Sequence, residues 1–340
     1  MGKKSLIYFF IFIQLLFVTS AFSSENTGST VVQMDKSELI IYGEAKRGGL
    51  IERLNELETV LFGRSLPGSI SERQLQLLNF IKIGNTEQPS LLFKLGVAEW
   101  AVSQTIQPSI PALGRLQKLE QELEGFIQEG KPVAMRVERI LSMLLTDPVT
   151  QVEFEVSSDK AVRAQFIDGI SPGKSRKGDS VNIELLEDFT IDNSLIAPKG
   201  SRIVSEVAEV VRPKAFGIPG EVKLDLKYLE ILGPEEVKVR VVDPKKISGR
   251  GEKNIAAAAG ASIAGAVILG PLGLATGLLI RGESLDVKAG TQFYIELVDR
   301  VKLSAFPIPV GLRKNDDAPV GGSNSESDKS DSDIIYIPDK

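Results

Sequence analysis

The 340-residue chain has no cysteine, no histidine and a single tryptophan, Trp100. Without cysteine there is no disulfide, no thiolate nucleophile, no thiolate metal site and no lipid-bearing cysteine of the lipoprotein kind. Without histidine a Ser-His-Asp triad is excluded, and so is the commonest metal ligand. No motif for a cofactor or a metal stands out in what remains. Two carboxylates could still run a hydrolysis. With 45 acidic residues and no distinguishing pattern, no pair can be nominated; a single Asp or Glu is ordinarily solvated surface.

Charge is missing over one long stretch, the 27 residues from Asn254 to Ile280, within which glycine recurs at Gly260, Gly265, Gly270, Gly273 and Gly277. Ala257, Ala261 and Gly265 fall at i, i+4 and i+8, and Gly273 and Gly277 repeat that spacing. Such a strip lets a second helix approach closely. As one helix, residues 255–280 would reach about 39 Å, enough for a bilayer. Gly270-Pro271 interrupts the run near its middle. The stretch therefore reads as a glycine-rich helical hairpin over 254–282. Either it inserts into a membrane, one form of which is a homo-oligomer, or it covers one face of a β-domain.

At the N-terminus Lys3 and Lys4 precede an apolar run, Leu6 to Val18, interrupted only by Gln14 and followed by Thr19, Ser20, Ala21 and Ser23. This is the layout of a cleaved signal peptide, residues 1–21. The run of 13 residues is shorter than the roughly 20 that span a bilayer. The expected location is the periplasm, the outer membrane or the cell envelope at large. Loss of Lys3 and Lys4 takes the net charge from −5 to −7, which argues against nucleic acid as a partner.

Past a linker at 22–37, five segments align on a basic residue: Arg53, Arg73, Lys94, Arg115 and Arg136. The columns at −3, +1, +4 and +8 from it are apolar in 19 places of 20, where a 42% composition predicts about eight. The exception is Gln74. A Gly or Pro precedes each unit, at Gly49, Gly68, Pro89, Pro111 and Pro132, as at a turn or first helical position. Offsets spaced 4, 3, 4 mark one face of a helix. Residues 38–147 thus read as five stacked antiparallel helices, a helical repeat of about 21 residues per unit that could dock a partner. In this reading Trp100 is core, and the basic column is solvated on the flank of the apolar face.

After Pro148 the period changes to two. Val152, Phe154 and Val156 alternate with polar residues, as do Val181, Ile183 and Leu185; Ile203–Val211, Val222–Leu229, Val237–Val242 and Phe293–Val301 follow. Gly- and Pro-rich turns separate them, predicting an antiparallel sandwich or barrel over 148–310, then a polar tail over 311–340 that reads as disordered. One device occurs twice: Ile196-Ala-Pro-Lys-Gly-Ser-Arg-Ile203 and Val287-Lys-Ala-Gly-Thr-Gln-Phe293 each place a tight glycine turn before an outgoing strand. The order of "LIAPKGSRIVSEV", strands, a small-residue segment and "VKAGTQFYIELVDRV", roughly residues 180–305, resembles the C-terminal β-domain of TrbI-type conjugative-transfer channel subunits. That resemblance implies a β-barrel with an inserted helical antenna reaching the outer membrane. The N-terminal half departs from it, having a signal peptide and a helical array where that family has an inner-membrane helix and a proline-rich linker. As a whole the chain resembles exported envelope proteins of diderm bacteria.

Gly169-Ile-Ser-Pro-Gly-Lys-Ser175 imitates a phosphate-binding loop but has three residues between its glycines where four are required, and Arg176, Lys177 and Gly178 follow in place of an apolar helix. It reads as a charged hairpin loop. The chain is thus expected to be an α+β multidomain protein of the envelope, non-enzymatic, whose helices dock an envelope protein and whose β-domain meets a membrane. The alternative is a secreted carboxylate-dependent hydrolase of wall polymers.

Two outcomes test this reading. Protein recovered from native cells should begin near Phe22 or Ser24 by N-terminal sequencing, and an intact Met1–Ala21 would overturn the signal peptide. In thermal unfolding Leu119→Asp should cost several kcal/mol by burying an unpaired charge, while Arg115→Ala, on the solvated flank, should cost less than about 1 kcal/mol.

Overall fold

A computed structural model describes residues 30–157, 160–214, 220–242, 277–281 and 287–313. The chain divides into two compact units, Met1–Pro307 and Ile308–Lys340. Of the second, residues 308–313 are described, including one 3₁₀ turn at Val310–Leu312.

Among the described residues six α-helices come first: α1 Thr30–Tyr42, α2 Leu50–Phe62, α3 Ile70–Leu78, α4 Leu91–Ser103, α5 Ala112–Glu124 and α6 Val133–Leu144, with a π-turn, Asn79–Ile83, extending α3. Helices α2 to α6 are the five read from the basic column. The Gly and Pro markers stand at their starts: Gly49, Pro111 and Pro132 are N-caps, and Gly68 and Pro89 each precede a serine cap. Ser69 accepts from the Glu72 N–H while Glu72 accepts from the Ser69 N–H, a reciprocal capping box. The +1 and +4 columns are buried in every one of these helices.

Two features depart from the sequence reading. Thr30–Tyr42 is a helix where the linker to residue 37 was expected. Its presence explains Gln74, the one polar member of the +1 column: the Gln74 amide donates to the Thr30 carbonyl at 2.7 Å. The packing also differs from a stack in which only neighbours touch. Helix α1 packs on α3 and α5, α2 packs on α6, and α4 packs on α5, α6 and the π-turn. The cause is α4, whose residues Leu91 and Phe93–Trp100 are buried all round; a helix apolar on every side must be surrounded.

The β-part has twelve described strands: β1 Val152–Val156, β2 Val162–Phe166, β3 Ser180–Leu185, β4 Phe189–Ile191, β5 Ser194–Ala197, β6 Arg202–Val211, β7 Glu221–Glu230, β8 Glu236–Val237, β9 Val239–Val241, β10 Gly277–Arg281, β11 Gln292–Leu297 and β12 Val301–Pro307. One sheet has the order β1-β12-β5-β4; the other runs β10-β7-β6-β3-β2-β11-β9, with β8 on β7. All pairings are antiparallel. Strand β9 returns against β7 and β10, so the larger sheet is a nearly closed barrel. Its inward residues alternate, as in β7 with Val222, Leu224 and Leu226, and form one core with the smaller sheet. The period-two segments are strands, but Phe293–Val301 stops being one at Leu297 and reaches only the first residue of β12, and β2, β4, β5, β10 and the rest of β12 were not read from the sequence.

Strand β10 corrects part of the hairpin. Gly277–Ile280 was expected to be helical; it is extended, with Gly277 opposite Asp225 and Arg281 opposite Glu221. The backbone of β7 would otherwise offer an open edge, and a strand laid on it satisfies those groups. Gly260, Gly265, Gly270 and Gly273 lie outside the described residues. No described helix is long and apolar enough to cross a membrane.

The twice-used glycine device is a repeated turn. Ser201 N–H donates to Pro198 O at 3.0 Å and Thr291 N–H to Lys288 O at 3.1 Å, with φ of +86° at Gly200 and +81° at Gly290. The surroundings repeat as well. Gly200 and Ser201 exchange bonds with Leu185 at the end of β3; Gly290 and Thr291 exchange the same bonds with Phe166 at the end of β2. Strands β2 and β3 pair with each other, and β11 and β6 lie outside them. The barrel thus carries two similar β-turn-β pieces about the β2–β3 seam. They differ in what lies over the glycine. A methyl at Gly200 would stand 2.3 Å from the Ile106 carbonyl, whereas nothing lies within 4 Å at Gly290. Gly290→Ala should therefore cost only the left-handed strain, about 1–2 kcal/mol, and Gly200→Ala distinctly more, read as thermal unfolding midpoints; equal losses would show that the Ile106 contact is absent.

Candidate interaction site

The basic column is not a solvated flank. Arg53, Arg115 and Arg136 are buried, Arg73 nearly so, and each forms a two-pronged ion pair with a glutamate on the preceding helix. Arg53 meets Glu38 at 3.0 and 2.6 Å, Arg73 meets Glu58 at 2.8 and 2.7 Å, Arg115 meets Glu99 at 3.0 and 2.7 Å, and Arg136 meets Glu120 at 2.7 and 2.6 Å. Each of these carboxylates also accepts a backbone N–H eight residues on, from Lys46, Leu66, Gln107 and Gln128. One buried carboxylate thus ties the loop that leaves its own helix to the helix that follows. Charge-assisted and bidentate, this is the strong form of the hydrogen bond. Hydrogen bonds to Glu38, and then to Asp35, hold the Arg53 guanidinium still more firmly protonated than usual; Glu58 does the same for Arg73. Beside the first clamp, burial followed by Glu38 and Glu56 pushes the Tyr42 phenol up to about 12.

Lys94 is the exception. The matching glutamate position holds Asn79, which lies in the π-turn, and the Lys94 ammonium pairs instead with Glu138 on α6 at 2.5 Å. The glutamate column Glu38, Glu58, Glu99, Glu120 follows the basic one to within one residue and is its missing half. It was the detectable signal: acid placed 15 or 16 residues before each arginine.

Trp100 is core, as expected, and also joins the helices to the β-part. Its ring meets Phe306 edge-on with centroids 6.4 Å apart, and its N–H donates to Asp188 at 3.1 Å. Nearby, Ile106 N–H donates to Lys199 O at 2.9 Å, and Gly96 of α4 sits against Leu232. Between the two layers lies a cleft of about 520 Å³. Leu92, Gly96, Ile110 and Leu232 line its apolar part, and Lys82, Arg202, Tyr228, Glu230, Glu235 and Glu236 its polar part. Glu230 pairs there with Arg202 at 2.9 Å and Glu236 with Lys82 at 3.6 Å, while Glu235 accepts from the Ser304 hydroxyl at 2.7 Å through one oxygen and buries the other, Oε2, without a hydrogen bond. Among the described residues no group of three or more acidic side chains converges to hold a metal.

On the outside of the helical bundle, Ile51, Leu75, Phe126 and Met135 are more than half exposed. A groove of about 740 Å³ runs where α2 and α3 begin, lined by Leu50, Ile51, Asn55 and Ile70. The phosphate-loop imitator is a turn, closed by the Lys174 and Ser175 N–H groups on Ser171 O, and leads to β3 with no helix after it.

Compared with known proteins, the chain matches no family model, no curated protein and no solved structure.

The clamps revise the expectation for Arg115. Its removal strands the Glu99 carboxylate in a buried site, so Arg115→Ala should cost about 3–5 kcal/mol. Arg300→Ala, at the exposed Glu155 pair, should cost less than about 1 kcal/mol. Urea unfolding followed by helical circular dichroism measures both, and a loss at Arg115 no larger than at Arg300 would sink the clamp.

Proposed function

We propose that the chain is a non-enzymatic interaction protein of the cell envelope. In this reading the helices are a repeat-built docking layer, and the barrel, with its glycine-spaced segment, holds the protein to a membrane. The observation that carries it is the use of charge. The buried acids and bases of the helices bond to one another, and the cleft carboxylates are already paired or hydrogen-bonded. Such an arrangement favours rigidity over proton transfer, which needs a carboxylate poised near a substrate. Of the cleft carboxylates Glu230 and Glu236 pair with cations, and Glu235 alone has no cation among the described residues; a hydrolase of the carboxylate-pair kind needs a second such group beside it.

The docking face is the α2–α3 groove, where the exposed Ile51 stands with Leu50 and Ile70. A groove lined by apolar side chains with polar residues at its edge suits an apolar side chain of a partner. The signal-like N-terminus and the charge-free Asn254–Ile280 stretch supply the envelope and membrane parts of the proposal. The resemblance to TrbI-type β-domains points the same way.

Fractionation of native cells is the direct test. The protein should sediment with membranes and resist release by osmotic shock. Complete release by osmotic shock would remove the membrane part, and recovery with the cytoplasm would overturn the envelope assignment.

A further inference from the structure

The barrel has a cationic end. The loop from β2 to β3 carries Lys174, Arg176 and Lys177, and the chain leaving β6 carries Arg212 and Lys214. The two are held together: Arg212 Nη1 donates to the carbonyl of Pro172 at 2.7 Å and to that of Gly173, and Gly220 lies against Pro172. Lys174, Arg176, Lys177, Arg212 and Lys214 are exposed and form no ion pair with another described residue. Between Arg176, Lys177 and Arg212 lies a shallow groove of about 490 Å³, floored by Ala208 and Val210 and edged by Glu209. Asp168, Asp179 and Glu221, which faces Val211 across the β6–β7 pairing, are the other nearby carboxylates. Asp168 accepts from Asn182, and Asp179 accepts from the Arg176 backbone N–H. Five exposed cations against four carboxylates leave this end positive on a chain whose net charge is −5.

Exposed aliphatic side chains stand beside the cations. Val211, 39% exposed, directly precedes Arg212, and Ile167, 41% exposed, is the first residue after β2, where the loop that carries the basic stretch begins. Among the described residues no exposed aromatic side chain joins them, so there is no platform for stacking a base. Cations around a few outward aliphatic groups fit a lipid headgroup layer, where ammonium and guanidinium groups meet phosphates and the aliphatic groups enter the acyl boundary. Strand β9 also runs toward this end before the chain enters the sequence that contains Asn254–Ile280.

We propose that this end of the barrel docks on an anionic phospholipid surface through Lys174, Arg176, Lys177, Arg212 and Lys214, with Ile167 and Val211 entering the headgroup boundary. The inference rests on the membrane reading above and adds the site and the lipid class.

Co-sedimentation of the full chain with vesicles tests it. Binding to phosphatidylglycerol-containing vesicles should exceed binding to pure phosphatidylcholine vesicles at least tenfold and fall steeply between 50 and 500 mM salt on the order expected for exposed charges. Each neutralised cation should weaken binding about fivefold, so Lys174→Gln/Arg176→Gln/Lys177→Gln should weaken it roughly a hundredfold. The three side chains bond to nothing described, and unchanged circular dichroism will show that the variant is folded. The salt titration of the unaltered protein needs no variant at all. Equal binding to both vesicle types, insensitive to salt, would overturn this proposal while leaving membrane attachment through another segment intact. Absence of vesicle binding together with salt-sensitive binding of a DNA duplex, lost in the triple variant, would overturn it in favour of nucleic acid.

Discussion

The structure depends on a carboxylate that cannot reach water. Glu58 and Glu120 are fully or almost fully buried, and each would be prohibitively costly there alone. Bonding to two guanidinium nitrogens and a backbone N–H offsets that cost only when the preceding helix, its exit loop and the next helix are all in place. A buried ion pair is weak evidence of net stability, since an apolar pair of the same shape often does as well. What it does enforce is geometry. The spacing of 15 or 16 residues from acid to base allows one way to place consecutive helices.

The irregular unit shows the same constraint from the other side. Where Asn79 replaces the glutamate, α3 runs into a π-turn and Lys94 reaches across to α6. The bundle tightens there around α4, the one helix without a polar face. That helix carries Trp100 to Phe306 of the smaller sheet, with Gly96 allowing close approach to Leu232. The π-turn thus lies one helix before the joint between the helical and β-parts. The helical and β-segments, read from the sequence as separate domains, belong to one compact unit.

In the barrel, the paired turns at Gly200 and Gly290 play the organising part. Each sends its N–H and the next residue's carbonyl back to a neighbouring strand end, so the turn is part of the sheet's hydrogen bonding. Only the first meets a foreign backbone, at Ile106. A similar element is therefore used once as a plain turn and once as the seat for the helical layer.

Much of this was legible in the sequence. The five helices between Leu50 and Leu144 follow from a local signal, apolar offsets of one helical face reset by Gly or Pro, and the glycine turns follow from residues that tolerate positive φ. The strands with strict alternation were equally plain. What the sequence did not disclose depends on partners distant along the chain. Helix α1 has little separation of apolar and polar faces, and Gln74 looked anomalous until Thr30 was placed beside it. The short strands β4 and β5 have no alternation to read, being buried on both faces or too brief. Gly277–Arg281 became a strand because β7 has an open edge there, a fact absent from its own composition. The arginine column was visible, but whether it faced water or a carboxylate was a tertiary question. The sequence alone determined where helices and turns fall, because those preferences are local; packing decided which charges are buried, because burial depends on what folds over them.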